Sequence, residues 1–377
     1  MPERIRVLHV VDKFGVKGSS IHGVGRLFAW WMPRFDTNRF DVRLIGLRGK
    51  DQSVETLEQQ GVHPICLGKG KLDPTTITAL VCEAKRFGAQ IFHLHGYGAS
   101  NFGSIAASLI GAKTVVHEHF VDPAMPGYQA FADRFLTCRA DSGIAVSKSV
   151  QNFMIAHRHF DPKQVQVIYN GAPLEQFVPS SDEVVLRLRT KLGVSPKHKV
   201  LVTIGRLDEQ KGIRYLLDAV AKLGQSHDAF TLIVLGDGPY ADDLKDQSRS
   251  LGIDSLVIFA GFQSDVRPYQ TLADIQVFPS LWEGTPLTVF EAMAMGKAIV
   301  STDVDGLGEV LTNGGNALLV SPRNPDQLAE ALSQVMFDDS LAAGIAANAL
   351  NSSRRFDISR TVKALQDVYV DLMSSVN

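Results

Sequence analysis

Lys199-Val200-Leu201-Val202-Thr203-Ile204 runs into Gly205-Arg206-Leu207-Asp208-Glu209-Gln210-Lys211-Gly212 and then into the amphipathic stretch Ile213–Leu223. A short, mostly apolar run without strict alternation suits a strand buried on both faces of a parallel sheet. Glycines at both ends of the following loop let the backbone turn tightly. The unit therefore reads as strand, glycine-bounded turn, helix. It carries two cations, Arg206 and Lys211, to the carboxyl edge of a sheet. An arginine grips phosphate oxygens with a planar fork, and a lysine adds a point charge. Taken alone, an ordinary turn with two solvated cations would look the same. The order G-x-x-x-x-G-K-[ST] is absent, so this is not a P-loop.

Working outward, short apolar runs alternate with helical stretches on both sides. After this unit come Thr231–Leu235, Leu256–Phe259, Asp274–Phe278, Ala298–Ser301 and Ala317–Val320. Before it come Val7–Val11, Val42–Leu47, Ile91–Leu94, Thr114–Val116, Gly143–Val146 and Val165–Ile168, with helical stretches such as Gly23–Trp31 and Pro74–Phe87 between them. Such βα alternation implies doubly wound α/β sheets. A polar, proline-containing segment at Pro173–Asp182 interrupts the pattern once. The expected fold is α/β: two Rossmann-like doubly wound domains facing a central cleft, with ligand loops at the carboxyl ends of the strands. The last segment, Ile358–Met373, repeats Val362, Leu365, Val368 and Leu372 at helical spacing.

Composition narrows the function. At 45% hydrophobic and 21% charged, the chain has the profile of a soluble globular protein. A net charge of −2 gives no overall pull toward nucleic acid. Residues 1–50 are locally basic, and Phe28, Trp30, Trp31 and Phe35 make an aromatic-rich helix end. That region reads as core packing, or as peripheral contact with an acceptor or an anionic membrane surface. Cys66, Cys82 and Cys138 form no CxxC pair, against a zinc ribbon or a disulfide framework. The first apolar run stops at Asp12, too short for a secretory h-region, and no eighteen apolar residues run together. The expected location is cytoplasmic, with peripheral contact at the inner face of the membrane as a variant of it.

A second motif is Glu283-Gly284-Thr285-Pro286-Leu287-Thr288-Val289-Phe290-Glu291. Pro286 places the start of a helix near Leu287, leaving Glu283 in a loop and Glu291 about one turn into the helix. Carboxylates accept hydrogen bonds from vicinal sugar hydroxyls, and a helix start offers N–H groups to an anion. Three other patterns do not carry the chemistry they spell. His117-Glu118-His119 is not HExxH. Asp303-Val304-Asp305 spells a metal-binding D-x-D, but hard-cation ligation needs more oxygen ligands. Gly236-Asp237-Gly238-Pro239-Tyr240-Ala241 spells G-x-G-x-x-A, yet no acid closes the next strand, against a dehydrogenase.

The loop Gly205–Gly212, Gly236-Asp237-Gly238, and Glu283–Glu291 with Ala292-Met293-Ala294-Met295-Gly296 occur in this order. With Val300–Val310 and Val167-Ile168-Tyr169-Asn170-Gly171, the set resembles the retaining GT-B glycosyltransferases of glycosyltransferase family 4 (glycosyl transferases group 1). The likeness covers residues 199–311 closely and the rest in outline. It implies domains at 1–175 (acceptor side) and 176–357 (nucleotide-sugar side), with the helix at 358–377 crossing back to the first. It implies that Arg206 and Lys211 hold the donor diphosphate, that Glu283 contacts the transferred sugar, and that Glu291 binds the ribose. Amides around Thr285, Leu287 and Thr288 would meet the phosphates, with Gly205 and Gly238 lining the donor site. Gly18, in the loop Gly18–Gly25, corresponds to the family's glycine-rich first loop, although Ser19 and His22 depart from the usual pattern. His119 aligns with the active-site histidine, and His117 aligns second. His22, His95, Tyr97 and His117 are candidates for acceptor contact.

The expected reaction is transfer of a hexosyl unit, with retention, from a UDP- or GDP-type sugar to a glycan, lipid-linked or small-molecule acceptor. The nucleotide sugar is a co-substrate, and neither a cofactor nor a metal is expected. A nucleotide-sugar epimerase of the same fold and a catalytically silent nucleotide-sugar-binding protein are the alternatives.

Overall fold

The computed structural model describes residues 4–15, 23–122 and 125–374. Backbone proximity divides the chain into two units, residues 1–171 with 358–377, and residues 172–357.

The first unit holds seven parallel strands: β1 (Ile5–Val11), β2 (Phe40–Gly46), β3 (Ile65–Cys66), β4 (Ile91–His95), β5 (Lys113–Glu118), β6 (Ser142–Ala145) and β7 (Val165–Val167). Their order is β3-β2-β1-β4-β5-β6-β7. The six runs read from sequence are all strands; β3 is additional, since two residues leave no pattern to read. One face of this sheet is closed by an apolar core including Leu8, Val10, Phe92, Leu94 and Val116. Side chains alternate along a strand, so His9, His93, His95 and His117 point to the other face. There the helix Gly23–Trp31 packs Phe28 and Trp31, both fully buried. Trp30 and Phe35 are buried too. Of the two readings of that aromatic helix end, its rings follow the first: they are core. The terminal helix Ile358–Ser374 belongs to the same unit and buries Val362, Leu365, Val368 and Tyr369.

The second unit holds six parallel strands: β8 (Lys199–Ile204), β9 (Phe230–Leu235), β10 (Val257–Gly261), β11 (Ile275–Phe278), β12 (Ala298–Thr302) and β13 (Leu318–Val320). Their order is β10-β9-β8-β11-β12-β13. Both sheets are doubly wound, as the βα alternation requires. Each has a switch point, between β1 and β4 in the first and between β8 and β11 in the second, where a ligand crevice forms at the strands' carboxyl ends. No helix among the described residues is long and apolar enough to cross a membrane.

Candidate functional site

At the second switch point, β8 delivers Gly205–Gly212 and β11 delivers Pro279–Glu283. Two glycines let these segments touch. Gly212 has φ +60°, and a Cβ there would sit 2.1 Å from the Pro279 carbonyl oxygen. Gly236, at the end of β9 with φ +131°, would put a Cβ 1.8 Å from the Gly205 oxygen. The loops are then tied by Leu281 N–H to Gln210 O at 2.7 Å and Leu207 N–H to Asp237 O at 2.9 Å. Gly306 follows the same logic, since its Cβ position overlaps the Gly284 oxygen. Gly212, Gly236 and Gly306 are thus close-approach positions in one interlocked edge.

This edge brings Lys211 and Glu283 together. The Lys211 ammonium donates to Glu283 Oε1 in a short ion pair. Ser280 Oγ donates to the same oxygen at 2.8 Å, and Gln210 Nε2 donates to Oε2 at 3.2 Å. Glu283 is 5% exposed, so the carboxylate is enclosed and accepts three hydrogen bonds, two at Oε1 and one at Oε2. Arg206 stands apart from this pair. Its side chain is 44% exposed, with Asp208 Oδ2 at 3.7 Å from Nε. A small cavity lies beside the pair, lined by Gly205, Lys211, Ser280 and Thr288. The helix Leu287–Ala294 starts after Pro286, at the residue read from sequence. Thr285 and Leu287 are buried at its start, and Glu291 is fully buried one turn in. Gly238 packs on the Leu207 backbone, where a Cβ would be 2.4 Å from the Leu207 oxygen. Asp303 and Asp305 belong to neither of the two ligand groups of three or more His, Cys, Asp or Glu found among the described residues.

In the first unit, Asp12 at the end of β1 accepts from Gly98 N at 3.0 Å and Ala99 N at 2.7 Å. It caps the helix Tyr97–Ile110 from a neighbouring strand. Burial pushes its carboxyl pKa up, against the pull of these two amides. Sequence reading misses Asp12, which looks only like the end of an apolar run.

His119 follows β5 directly, and its Nε2 lies 2.9 Å from His95 Nδ1. His95 and His117 are each only 1% exposed, so both rings stand inside the unit. Tyr97 is half-buried and donates to Asp122 Oδ2 at 3.0 Å. Gly18 and His22 lie outside the described residues. A further network braces the β5 end. Arg158 is fully buried, holds Asp133 through Nε and Nη2 at 2.9 Å each, and reaches Glu118 Oε2 at 2.5 Å. Glu118 Oε1 accepts from the His119 amide at 3.2 Å. Burial raises the Glu118 carboxyl, and Arg158 works against that. No local pattern around Arg158 signals this role.

Two family models match the chain: Glycosyltransferase Family 4 over residues 21–176, and Glycosyl transferases group 1 over residues 185–352. An uncharacterized glycosyltransferase of Methanocaldococcus jannaschii is 35% identical over 198 residues, covering 52% of this chain and 50% of that protein. A D-inositol 3-phosphate glycosyltransferase of Corynebacterium kroppenstedtii is 29% identical over 66% of this chain and 57% of its own length. The chain thus spans little more than half of these curated relatives. An Escherichia coli protein named UDP-Gal:alpha-D-GlcNAc-diphosphoundecaprenol alpha-1,3-galactosyltransferase matches at 25% identity over 94% of this chain and 95% of its own. Among solved structures, HepE of Anabaena in complex with UDP superposes with TM-score 0.83 at 24% identity, covering 97% of this chain and all of that one. A glycosyltransferase from Rickettsia africae superposes with TM-score 0.84 at 19% identity, covering 98% and 99%. At these identities the likeness carries the fold.

Proposed function

We propose, from the premise that this chain belongs to the GT-B glycosyltransferases of family 4 (glycosyl transferases group 1), that it transfers a hexosyl unit with retention and without a metal from a nucleotide diphosphate sugar. The observation that carries this reading is the Lys211–Glu283 pair at the β8/β11 switch point, beside the start of the helix Leu287–Ala294. In this reading Lys211 and the exposed Arg206 take the donor diphosphate, helped by amides around Thr285, Leu287 and Thr288. Charge building on the departing diphosphate is what such donors stabilise. Glu291 takes the ribose and Glu283 the transferred sugar, and His119 is the candidate active-site histidine of the first unit. The second unit is assigned to the donor and the first to the acceptor. UDP sugars are the first to test, because HepE is described in complex with UDP and the E. coli relative is named for UDP-Gal.

The test is product formation by the full chain across a panel of UDP and GDP sugars, with and without a chelator. Arg206→Ala should cost about 2–4 kcal/mol of transition-state stabilisation, a loss of roughly 30- to 1000-fold, while chelation should leave the rate unchanged. A strict requirement for Mg²⁺ or Mn²⁺, with normal rates in Arg206→Ala, would overturn the assignment.

A further inference from the structure

The helix Gly127–Asp133 of the first unit is amphipathic in reverse. It runs on into a turn, with the Leu136 N–H on the Ala132 oxygen at 2.9 Å. A surface helix ordinarily turns its apolar stripe to the core. Here the inward positions are Gln129, Asp133 and Thr137, four residues apart and each fully buried. Tyr128, Phe131 and Phe135, at i, i+3 and i+7, face outward. Phe131 is 69% exposed, and the other two rings are about half exposed. The Phe131 and Phe135 ring centroids are 5.1 Å apart, so these two rings make one patch.

A polar network fixes this orientation. Gln129 exchanges hydrogen bonds with Asn101 at 3.0 and 3.2 Å, and its Nε2 donates to Asp133 Oδ1 at 2.8 Å. Asp133 accepts from Nε and Nη2 of Arg158 at 2.9 Å each, and its carbonyl oxygen accepts from Thr137 Oγ1 at 3.1 Å. Burying such an ion pair carries a desolvation cost that apolar residues of similar volume avoid. Rotating the helix to hide its rings would take Asp133 away from the buried Arg158, and a buried charge that loses its partner is strongly destabilising. The fold therefore holds the rings outward.

Charge says what covers them. The segment 120–139 has four charged residues, Asp122, Asp133, Arg134 and Arg139. Asp133 is engaged by Arg158, and Asp122 is part-buried and accepts from the Tyr97 hydroxyl. The exposed charges of the segment are the two arginines. Arg134 stands three residues after Phe131, the spacing of neighbours on one helix face, and Arg139 follows in the next turn, Thr137–Arg139. The helix packed against this segment, Tyr97–Ile110, carries no charged residue. Exposed rings flanked by arginine, with no exposed acid in the segment, match an interfacial helix on an anionic bilayer: the rings enter the headgroup region and the guanidiniums meet lipid phosphates. A second copy of the chain fits less well, because an isologous pair sets the same face against itself and brings the arginines of both copies together.

We propose that the face formed by Tyr128, Phe131 and Phe135, with Arg134 and Arg139, docks the first unit on the surface of an anionic lipid bilayer. The contact is peripheral, since a helix of seven residues is far too short to span. It is a different surface from the aromatic helix end at Phe28–Phe35, whose rings are core. Gln129, Asp133 and Arg158 act in it as positioning residues, by holding the rings outward.

The measurement is co-sedimentation of the full chain with vesicles of equimolar phosphatidylcholine and phosphatidylglycerol, against vesicles of phosphatidylcholine alone. The chain should partition onto the mixed vesicles, and roughly 30-fold more weakly onto the neutral ones, the worth of two cations at such a surface. Phe131→Ser with Phe135→Ser should lower partition onto mixed vesicles by about tenfold or more, with the urea midpoint unmoved because both rings are exposed. Arg139→Gln should lower it about fivefold and leave the weak binding to neutral vesicles as it was. Phe131→Trp places a reporter on the face: relative to wild type, its emission should shift to the blue on mixed vesicles and be quenched by brominated lipids. No partition onto mixed vesicles, equal partition onto both kinds, or a Phe131→Trp emission that lipid leaves unchanged would overturn the proposal. So would a lipid-free dimer of the full chain that the double serine variant returns to monomer. Should the double variant fail to fold, the tryptophan reporter still decides. The assay contains neither donor nor acceptor, so its failure and that of the transferase reading are separate outcomes.

Discussion

Lowering the pH from 7.0 to 5.5 should strongly destabilise the first unit, and the cost can be worked from its histidines. His9, His93, His95 and His117 have depressed folded-state pKa values, caused first by burial and, for the last three, also by neighbouring imidazoles. In the unfolded chain each titrates near 6.5. A depressed value means that the unfolded state binds more protons below that point. The stability is therefore present in full above pH 6.5 and is lost as pH falls. Between pH 7.0 and 5.5, each imidazole that stays neutral in the fold costs about 1.2 kcal/mol, and four cost about 5 kcal/mol. Domain stabilities are commonly of order 5–15 kcal/mol, so this loss is a large part of the whole. The assay is urea unfolding at a series of pH values, following tryptophan fluorescence in a Trp282→Phe background so that Trp30 and Trp31 report on the first unit alone. An unfolding free energy that moves by less than about 1 kcal/mol across this range would refute the reasoning. It would mean that the four rings are already protonated, or solvated, in the native state.

Lys211→Met should destabilise the second unit by about 1–3 kcal/mol, below the range for a fully buried pair because the lysine is one-fifth exposed. Adding Glu283→Gln should recover most of that stability without recovering transfer; recovered transfer would reduce Lys211 to a counter-ion. Glu291→Ala should weaken binding of free UDP by at least tenfold while Glu283→Gln leaves it within threefold, about the worth of one charged hydrogen bond; equal losses in titration calorimetry would refute this division of roles. Gly306→Ala should cost more than about 2 kcal/mol, read from denaturant midpoints, since its Cβ would overlap the Gly284 oxygen; a neutral result would mean the loops are not interlocked there.

The sheets are legible because parallel strands buried on both faces read as plain apolar runs, and helices fill the gaps. β3 is not, because two residues paired to β2 carry no period. The histidine array is half legible. His93-x-His95 and His117-x-His119 share a face by alternation, and the doubly wound order makes β1, β4 and β5 neighbours. Tyr369, 276 residues beyond His93, is out of reach, as is the burial of Arg158 against Asp133 and Glu118. Both depend on packing between segments distant in sequence.

Glu283 shows where a motif and its geometry part. As a motif it is a carboxylate awaiting sugar hydroxyls. In the structure its oxygens already accept from Lys211, Ser280 and Gln210. A hydroxyl arriving there can add to Oε2, which accepts one bond, or replace a donor, and the neutral amide of Gln210, at 3.2 Å, is the weakest held. The lysine, charged and closest, would be the last to leave, since charge-assisted bonds are roughly twice as strong as neutral ones. In the proposed reading, a sugar that displaces Gln210 keeps Lys211 anchored for the phosphate, and one that displaces Lys211 would strip the phosphate of a cation. If Glu283 meets the transferred sugar as proposed, discrimination among sugars there is a question of whether a hydroxyl pattern adds to Oε2 or displaces a donor.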